Sequence, residues 1–375
     1  MRILELLSSP VWTGPAEPMA SIALQLRARG HDVDVAVDTR RPGDLRERLA
    51  HLGIEVRTDL ALTTKGFPPA LLRDAPRLRQ IAPAFDVVHA HFSNDHAVAL
   101  LALRRGGERP RVVRTVHSSR SLQARFLQRV AYHRTDGTIA VCTAHARVLA
   151  ERFRIPSDRL LVTRGAVDPL RFSPEGPDLR AELEIDDGAP VVGIVSRVKP
   201  ERRHGELLAA FRQICDRLPE ARLVIVGRGE GLPALRTRVA EQGLTRQVVF
   251  AGYRTGHELA SAYRTLDVKV LLAEGNDGTC RALLEAMACG RAVVAYDFGA
   301  PADAVVPGVT GLLVREGDVA ALAGAMADLL GDRVRSPAMG AAARERIRTS
   351  FREDARAAEI EGFLARLLSM PRAVL

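Results

Sequence analysis

The sequence predicts an α/β protein made of two doubly wound parallel-sheet domains in series. Three observations carry this. The chain has 375 residues, enough for two domains at roughly 100–200 residues each. Short runs rich in Val and Ile alternate with helical segments of ten or more residues, the pattern of βαβ units. Runs such as "VVGIV" and "RLVIVG" are apolar throughout, as strands covered on both faces must be.

In the first half, strands are expected near Arg2–Ser8, Val33–Asp38, Val87–His91, Val112–His117, Thr138–Cys142 and Leu160–Val167. The opening "MRILELLSSP" has one basic residue and a short apolar run broken by Glu5, so it reads as the first strand and not as a signal peptide. Residues 1–168 form the first Rossmann-like domain. Residues 169–189, most of them within the Pro-, Gly- and acid-rich "SPEGPDLRAELEIDDGAP", read as an inter-domain connection. In the second domain, 190–350, strands are expected near Val191–Arg197, Leu223–Gly227, Val248–Gly252, Asp267–Ala273, Ala292–Asp297 and Gly311–Val314. In residues 351–375, Ile360, Phe363, Leu364, Leu367 and Leu368 share one face at helical spacing. That face predicts a helix packed back on the first domain.

Composition narrows the function. No run of about 18 apolar residues is present, so no segment is expected to span a bilayer. Cys142, Cys215, Cys280 and Cys289 form no CxxC and no zinc spacing, and read as reduced cysteines of a cytoplasmic protein. The net charge of +9 is uneven: residues 1–168 hold 26 Lys/Arg against 17 Asp/Glu, residues 169–375 hold 28 of each. A basic half attracts phosphate or an anionic membrane surface. Few aromatics and no RNP-like or helix-turn-helix signature argue against nucleic acid.

Ligands of open α/β sheets sit at the carboxyl ends of strands, so chemistry is sought on strand-to-helix loops. Two such domains facing a central cleft would put these ends together. "LLAEGNDGTCRALLEAMACG" is such a loop: a strand end, a turn with Gly275 and Gly278, Thr279 as N-cap, and a helix closed by Gly290. The free N–H groups of a helix start favour a bound phosphate. At ~1.5 Å rise per residue, Asp277 and Glu285 stand on the order of 10 Å apart. The acid pair of a retaining hydrolase needs about 5 Å. The wider spacing suits a ligand with hydroxyls at both ends and phosphates between. A solvated acid with an Arg281–Glu285 pair at i, i+4 explains the same residues equally well.

"DGTCRALLEAMACG", followed by "AVVAYDFGAPADAVVPGVTGLLV", resembles the C-terminal signature of retaining GT-B glycosyltransferases of family 4. "TGPAEPMASIALQLRARGHDVDV", "VVHAH", "TVHSS", "GAVDPLRFSP" and "GIVSRVKPERRHGELLAAF" resemble its other landmarks. The resemblance implies that Glu285 accepts from ribose hydroxyls and Asp277 holds hydroxyls of the donor sugar. Arg197 and Arg202 neutralise the diphosphate leaving group, a task that suits forked guanidiniums. Gly14 lets backbone N–H groups approach the phosphate, and His117 lies beside the donor sugar. Gly278, Thr279, Cys280 and Arg281 join the donor site, and Asp303 stands where the family has an acid after its Gly pair. Asp277 replaces a Glu, Arg202 a Lys, Thr279 an aromatic residue, Ala300 the second Gly and Arg164 an Asn.

Other signals carry less. His89 and His91 in "HAH" have the spacing of metal ligands, but packing and hydrogen bonding explain a strand end as well. "DVD" at 32–34 resembles a metal-binding DxD, but its alternating context reads as a strand with solvated acids. "GRGEG" at 227–231 lacks the last Gly of a dinucleotide loop. "SRSLQARFLQRVAYHR" is basic and amphipathic, with Arg125 and Arg129 one turn apart and Leu122, Phe126 and Val130 nearby. It fits an anionic membrane surface or a core helix with a solvated face.

The resulting expectation is a retaining hexosyltransferase that moves a sugar from a UDP- or GDP-linked donor to a glycan or lipid-linked acceptor. No cofactor and no metal are expected. The setting would be cell-envelope synthesis, in the cytoplasm or peripheral on the inner membrane face. A sugar-nucleotide epimerase or hydrolase on the same fold, distinguished by acceptor-independent turnover, is one alternative. An inactive nucleotide- or membrane-binding module is another.

Overall fold

A computed structural model describes residues 1–63, 69–103, 109–123, 126–274 and 277–371, without the side chains of 69, 70 and 277–279. The chain divides into two units. The first is built mainly from Met1–Gly165 and Glu353–Leu375, the second from Ala166–Gly275 and Thr279–Arg352.

The first unit holds strands β1 (Arg2–Leu7), β2 (Asp32–Val37), β3 (Val56–Arg57), β4 (Val87–Ala90), β5 (Arg111–Val116), β6 (Gly137–Ala140) and β7 (Leu160–Val162). They pair in parallel in the order β3-β2-β1-β4-β5-β6-β7. The chain starts in the middle, winds one way, then returns and winds the other, so the switch point lies between β1 and β4. Both faces are covered. Ile3, Val87, Val113 and Ile139 pack on one side with the helix Ala16–Ala28. Leu4, Leu6, Val88 and Val112 pack on the other. This double coverage is why the runs read as apolar without alternation.

The helix Glu353–Ser369 belongs to this unit and lies on the first of those faces, with Ile360, Phe363, Leu364 and Leu367 buried in the same cluster. Glu361 accepts from Arg29 at 2.5 Å and meets His31 Nε2 at 2.7 Å. Gly137 is needed where the helix passes: a Cβ there would stand 2.3 Å from Leu367 Cδ1. β3, two residues long at the sheet edge, was not expected from the sequence, because a strand that short has no period to read.

The second unit holds β8 (Val191–Val195), β9 (Arg222–Val226), β10 (Val248–Gly252), β11 (Val268–Leu271), β12 (Ala292–Tyr296) and β13 (Gly311–Val314), all parallel, in the order β10-β9-β8-β11-β12-β13. Its switch point lies between β8 and β11. Residues 169–189 pack into this unit: Phe172 is fully buried beside Tyr263, and Thr265 Oγ1 accepts from Leu179 N at 2.9 Å.

Candidate active site

In the second unit the expected residues gather at the carboxyl ends of the two switch-point strands. After β8 the chain runs through Ser196 and Arg197 to a 3-10 turn, Pro200–Arg202, and into the helix His204–Cys215. After β11 it enters the helix Asp277–Ala288. That helix begins at Asp277, so Thr279 is its third residue and not the expected N-cap. The side chains of Asp277, Gly278 and Thr279 lie outside the described residues. Gly290 ends the helix with φ +70°, and the N–H groups of Gly290 and Arg291 return to Met287 and Ala286 at 2.9 and 3.0 Å. This is a Schellman closure, which a left-handed glycine makes without strain.

Glu285 is 7% exposed. It accepts from Tyr263 Oη at 2.6 Å and from Arg281 Nε at 3.0 Å. The Arg281–Glu285 pair therefore forms, but buried and tied to a tyrosine, not solvated. A carboxylate offers about four acceptor sites, so two bonds alone do not exhaust it. Cys280 is buried beside them.

Positive charge dominates the surroundings. Arg197 is exposed at the end of its loop. Arg202 is half-buried, and its Nε meets no hydrogen-bond partner among the described residues. Burial and the charge of Arg197 lower its pKa, and Glu201 opposes them. Lys269, in the middle of β11, has no exposure at all. Its Nζ donates to Val270 O at 2.6 Å. Burial lowers its pKa to about 7, with Glu285 pulling up and Arg202 pushing down. His204 is buried under the same loop, meets Ser196 Oγ at 3.2 Å and is lowered to about 4, first by burial, then by Lys269 and Arg202. A buried donor without a partner is costly, about 1–3 kcal/mol.

The "GRGEG" segment serves this loop. Val198 N donates to Arg228 O at 3.0 Å and Gly231 N to Val198 O at 3.1 Å. A Cβ at Gly227 or Gly229 would lie 2.0 or 2.3 Å from the carbonyl oxygens of Ser196 and Val198. Its glycines let two backbones touch. Gly299 does the same behind the Asp277 loop: its φ is +66° and a Cβ would stand 1.9 Å from Glu274 O. Asp303 follows on the short helix Ala300–Ala304.

In the first unit the carboxyl edge of the sheet holds His117, directly after β5, and Gly14, exposed in the turn before the helix Ala16–Ala28. His117 Nε2 stands 2.9 Å from His91 Nδ1, and His91 Nε2 stands 2.7 Å from Glu5 Oε2. His89 reaches the same carboxylate through Nδ1 at 2.9 Å and Thr115 Oγ1 through Nε2 at 2.7 Å. All of these residues are buried. Burial pushes the Glu5 carboxyl up, but the charge and hydrogen bonds of His89 and His91 outweigh it and hold it near 2. Glu5, His89 and His91 bring potential metal-ligand atoms within 4.8 Å of one another. The hydrogen bonds account for each of those atoms. Asp95 ties the neighbouring loops together, accepting from Ser8 N at 2.9 Å and Phe92 N at 2.7 Å. The "DVD" acids are not a pair: Asp34 binds Arg57 at 2.6 Å and Asp32 is exposed.

Sequence reasoning missed Lys269, Tyr263, His204 and Glu5. Two of them left a signal: Lys269 is a lone cation inside "DVKVLLA", and Glu5 a lone acid inside the first apolar run.

Residues 15–171 match the family pattern described as Glycosyltransferase Family 4, and residues 176–346 that of Glycosyl transferases group 1. The fold is that of the GT-B class: the Anabaena protein HepE in complex with UDP superposes with a TM-score of 0.82 over 97% of this chain and 100% of that one, at 21% identity. The chain belongs to glycosyltransferase family 4. A GDP-mannose-dependent alpha-(1-6)-phosphatidylinositol monomannoside mannosyltransferase of Mycolicibacterium smegmatis is 32% identical over 72% of this chain and 74% of the relative. A D-inositol 3-phosphate glycosyltransferase of Stackebrandtia nassauensis is also 32% identical, over 69% of this chain, which spans 63% of that relative's length.

Proposed function

We propose that the chain is a retaining, metal-independent hexosyltransferase that moves a sugar from a nucleotide-sugar donor to a hydroxyl of a glycan or lipid-linked acceptor, in cell-envelope synthesis. The observation that carries this is the cation cluster at the switch point of the second unit, with the orphaned Nε of Arg202 beside Arg197. Fixed guanidiniums and a helix start supply the positive charge that a metal would otherwise bring to a departing diphosphate. Glu285 takes the ribose hydroxyls, and Asp277 the hydroxyls of the sugar. Gly14 lets backbone N–H groups approach the donor phosphate and His117 lies beside the donor sugar, while the acceptor binds on the first unit. The anomeric carbon–phosphate oxygen bond breaks and an acceptor oxygen bonds to the same face of that carbon. The acceptor's proton passes to the leaving phosphate.

GDP-mannose is the first donor to test, because the Mycolicibacterium relative is named for it. Thermal unfolding with GDP, UDP, ADP and TDP and their sugar conjugates reads binding directly, since a ligand of the native state raises Tm by mass action. The expected result is a shift with one base, unchanged by Mg²⁺ and lost in Glu285→Ala. No shift with any nucleotide would leave the donor reading without a ligand.

The basic amphipathic stretch supports a peripheral membrane position. It is not one helix: Ser119–Leu122 is a 3-10 turn with Leu122 buried, and the helix proper is Phe126–His133. Arg125 lies outside the described residues. Phe126 and Leu127 are 77% and 78% exposed, next to exposed Arg129 and His133. No helix among the described residues is long and apolar enough to cross a membrane.

A further inference from the structure

We propose that Arg203 is a positioning residue: its guanidinium latches the loop after β8 to the loops after β12 and β13, and so holds Arg202 in place for the departing diphosphate. The inference rests on the reading of Arg202 as a cation of the donor site.

The starting observation is a backbone outlier. Arg203 has φ +58° and ψ +35°, in the left-handed region. A side chain there crowds the neighbouring carbonyl group, and glycine is the residue that adopts this conformation freely. The chain needs the conformation at this point. Arg203 N–H closes the 3-10 turn on Pro200 O at 3.0 Å. Its carbonyl opens the next helix, accepting from Glu206 N at 3.0 Å and Leu207 N at 3.2 Å. One left-handed residue thus joins turn to helix, and it is an arginine. Strain of this kind persists only where the surrounding contacts over-determine it.

The side chain makes those contacts. In the sheet β11 separates β8 from β12, which puts them about 9.6 Å apart at two strand spacings. Arg203 reaches across. Its guanidinium carbon lies 5.6 Å from the ring centre of Tyr296, the last residue of β12, and 5.8 Å from that of Phe298. Nη1 donates to Glu206 Oε1 at 3.2 Å, and Nη2 donates to Glu316 in the loop after β13. Tyr296 Oη donates to the other oxygen of Glu206 at 2.5 Å. A planar fork that stacks and pairs at once is work for arginine and not for lysine. Two further ties hold the loop: His204 Nε2 meets Ser196 Oγ at 3.2 Å, and Lys199 pairs with Glu230 at 3.1 Å. Among these fixed points stands Arg202, half-buried, with its Nε unpartnered among the described residues. Both terminal nitrogens of Arg203 face carboxylates, so its charge is neutralised within the fold. Arg202 is the cation that the latch presents.

The test is a double-mutant cycle on the full chain, read by calorimetry with GDP and UDP. Arg203→Gly removes the latch and the strain together, and affinity for the nucleotide that binds the wild type should fall about tenfold. Arg202→Ala should lose at least as much. The double variant should lose no more than about twofold beyond Arg202→Ala, because a residue that acts through another adds nothing once that other is gone. Arg203→Lys keeps the charge but not the fork, and should lose at least about fivefold. Full affinity in Arg203→Gly or Arg203→Lys, or losses that add in the double variant, would overturn the inference. If Arg203→Gly folds poorly, Glu316→Ala takes its place in the cycle, with an expected loss of about threefold and the same non-additivity. Hydrogen exchange without nucleotide reads the latch independently of the donor. In Glu316→Ala the amides between 197 and 203 should exchange about tenfold faster, while those of β8 keep their rate. If neither nucleotide binds the wild type, the donor reading fails, and the exchange rates still decide the latch: unchanged rates would overturn it.

Discussion

Lys269 shows how much one residue can be asked to do. A lysine with no exposure, on the central strand of a parallel sheet, is held near pKa 7 by burial, with Glu285 and Arg202 pulling in opposite directions. A diphosphate arriving beside Arg202 adds negative charge and favours the protonated form. Binding of a nucleoside diphosphate at pH 8 should therefore take up a proton. Calorimetry in two buffers of different ionisation enthalpy measures this. In Lys269→Met the uptake should vanish and affinity should drop about tenfold, the equivalent of one interaction of ~1.4 kcal/mol. Proton-neutral binding by the wild type would remove Lys269 from the ligand's field. The residue was visible in the sequence as a charge within an apolar run. Its partners were not, because Glu285 and Arg202 reach it from helix and loop segments that only the fold brings together.

At the scale of elements, strand positions were the most legible part. Twelve expected strands correspond to observed ones, since buried parallel strands announce themselves by continuous apolar runs. Boundaries at functional loops were less so. The helix at Asp277 starts two residues before Thr279, and the basic stretch breaks at a 3-10 turn because Leu122 turns inward into its own small cluster. What remains of that stretch, Phe126–His133, presents a face without apolar cover at Phe126, Leu127 and Val130. Sedimentation with phosphatidylglycerol vesicles should retain the protein, and phosphatidylcholine vesicles should not. The Phe126→Ser/Leu127→Ser double variant should lose at least half of the bound fraction. Equal retention by both lipids, or no effect of the variant, would separate this helix from any membrane.

For the molecule as a whole, the first unit carries a distinctive acid sensitivity. His96 is buried and lowered to about 3, first by burial and then by the charge of Arg114, and His91 is lowered to about the same value. In the unfolded chain both take protons near pH 6.5. The unfolded state thus binds more protons between about pH 6.5 and 3, and stability falls as pH drops through that window. Trp12, the single tryptophan, lies in this unit, so its fluorescence reads this unit's unfolding. Removing one such group in His96→Leu should reduce the slope of unfolding free energy between pH 4 and 6 by about 1.4 kcal/mol per pH unit. An unchanged slope would mean that His96 takes its proton in the folded state as well.

The helix Glu353–Ser369 has one more consequence, which concerns the order in which the protein is made. A ribosome releases the whole second unit before this helix, yet the helix completes the core of the first. Until it emerges, Leu26, Val113 and Ile139 belong to a surface still missing Phe363 and Leu367. The unit synthesised first is therefore the unit finished last. During that interval the nascent chain shows an apolar face to its surroundings, the kind of surface that chaperones hold.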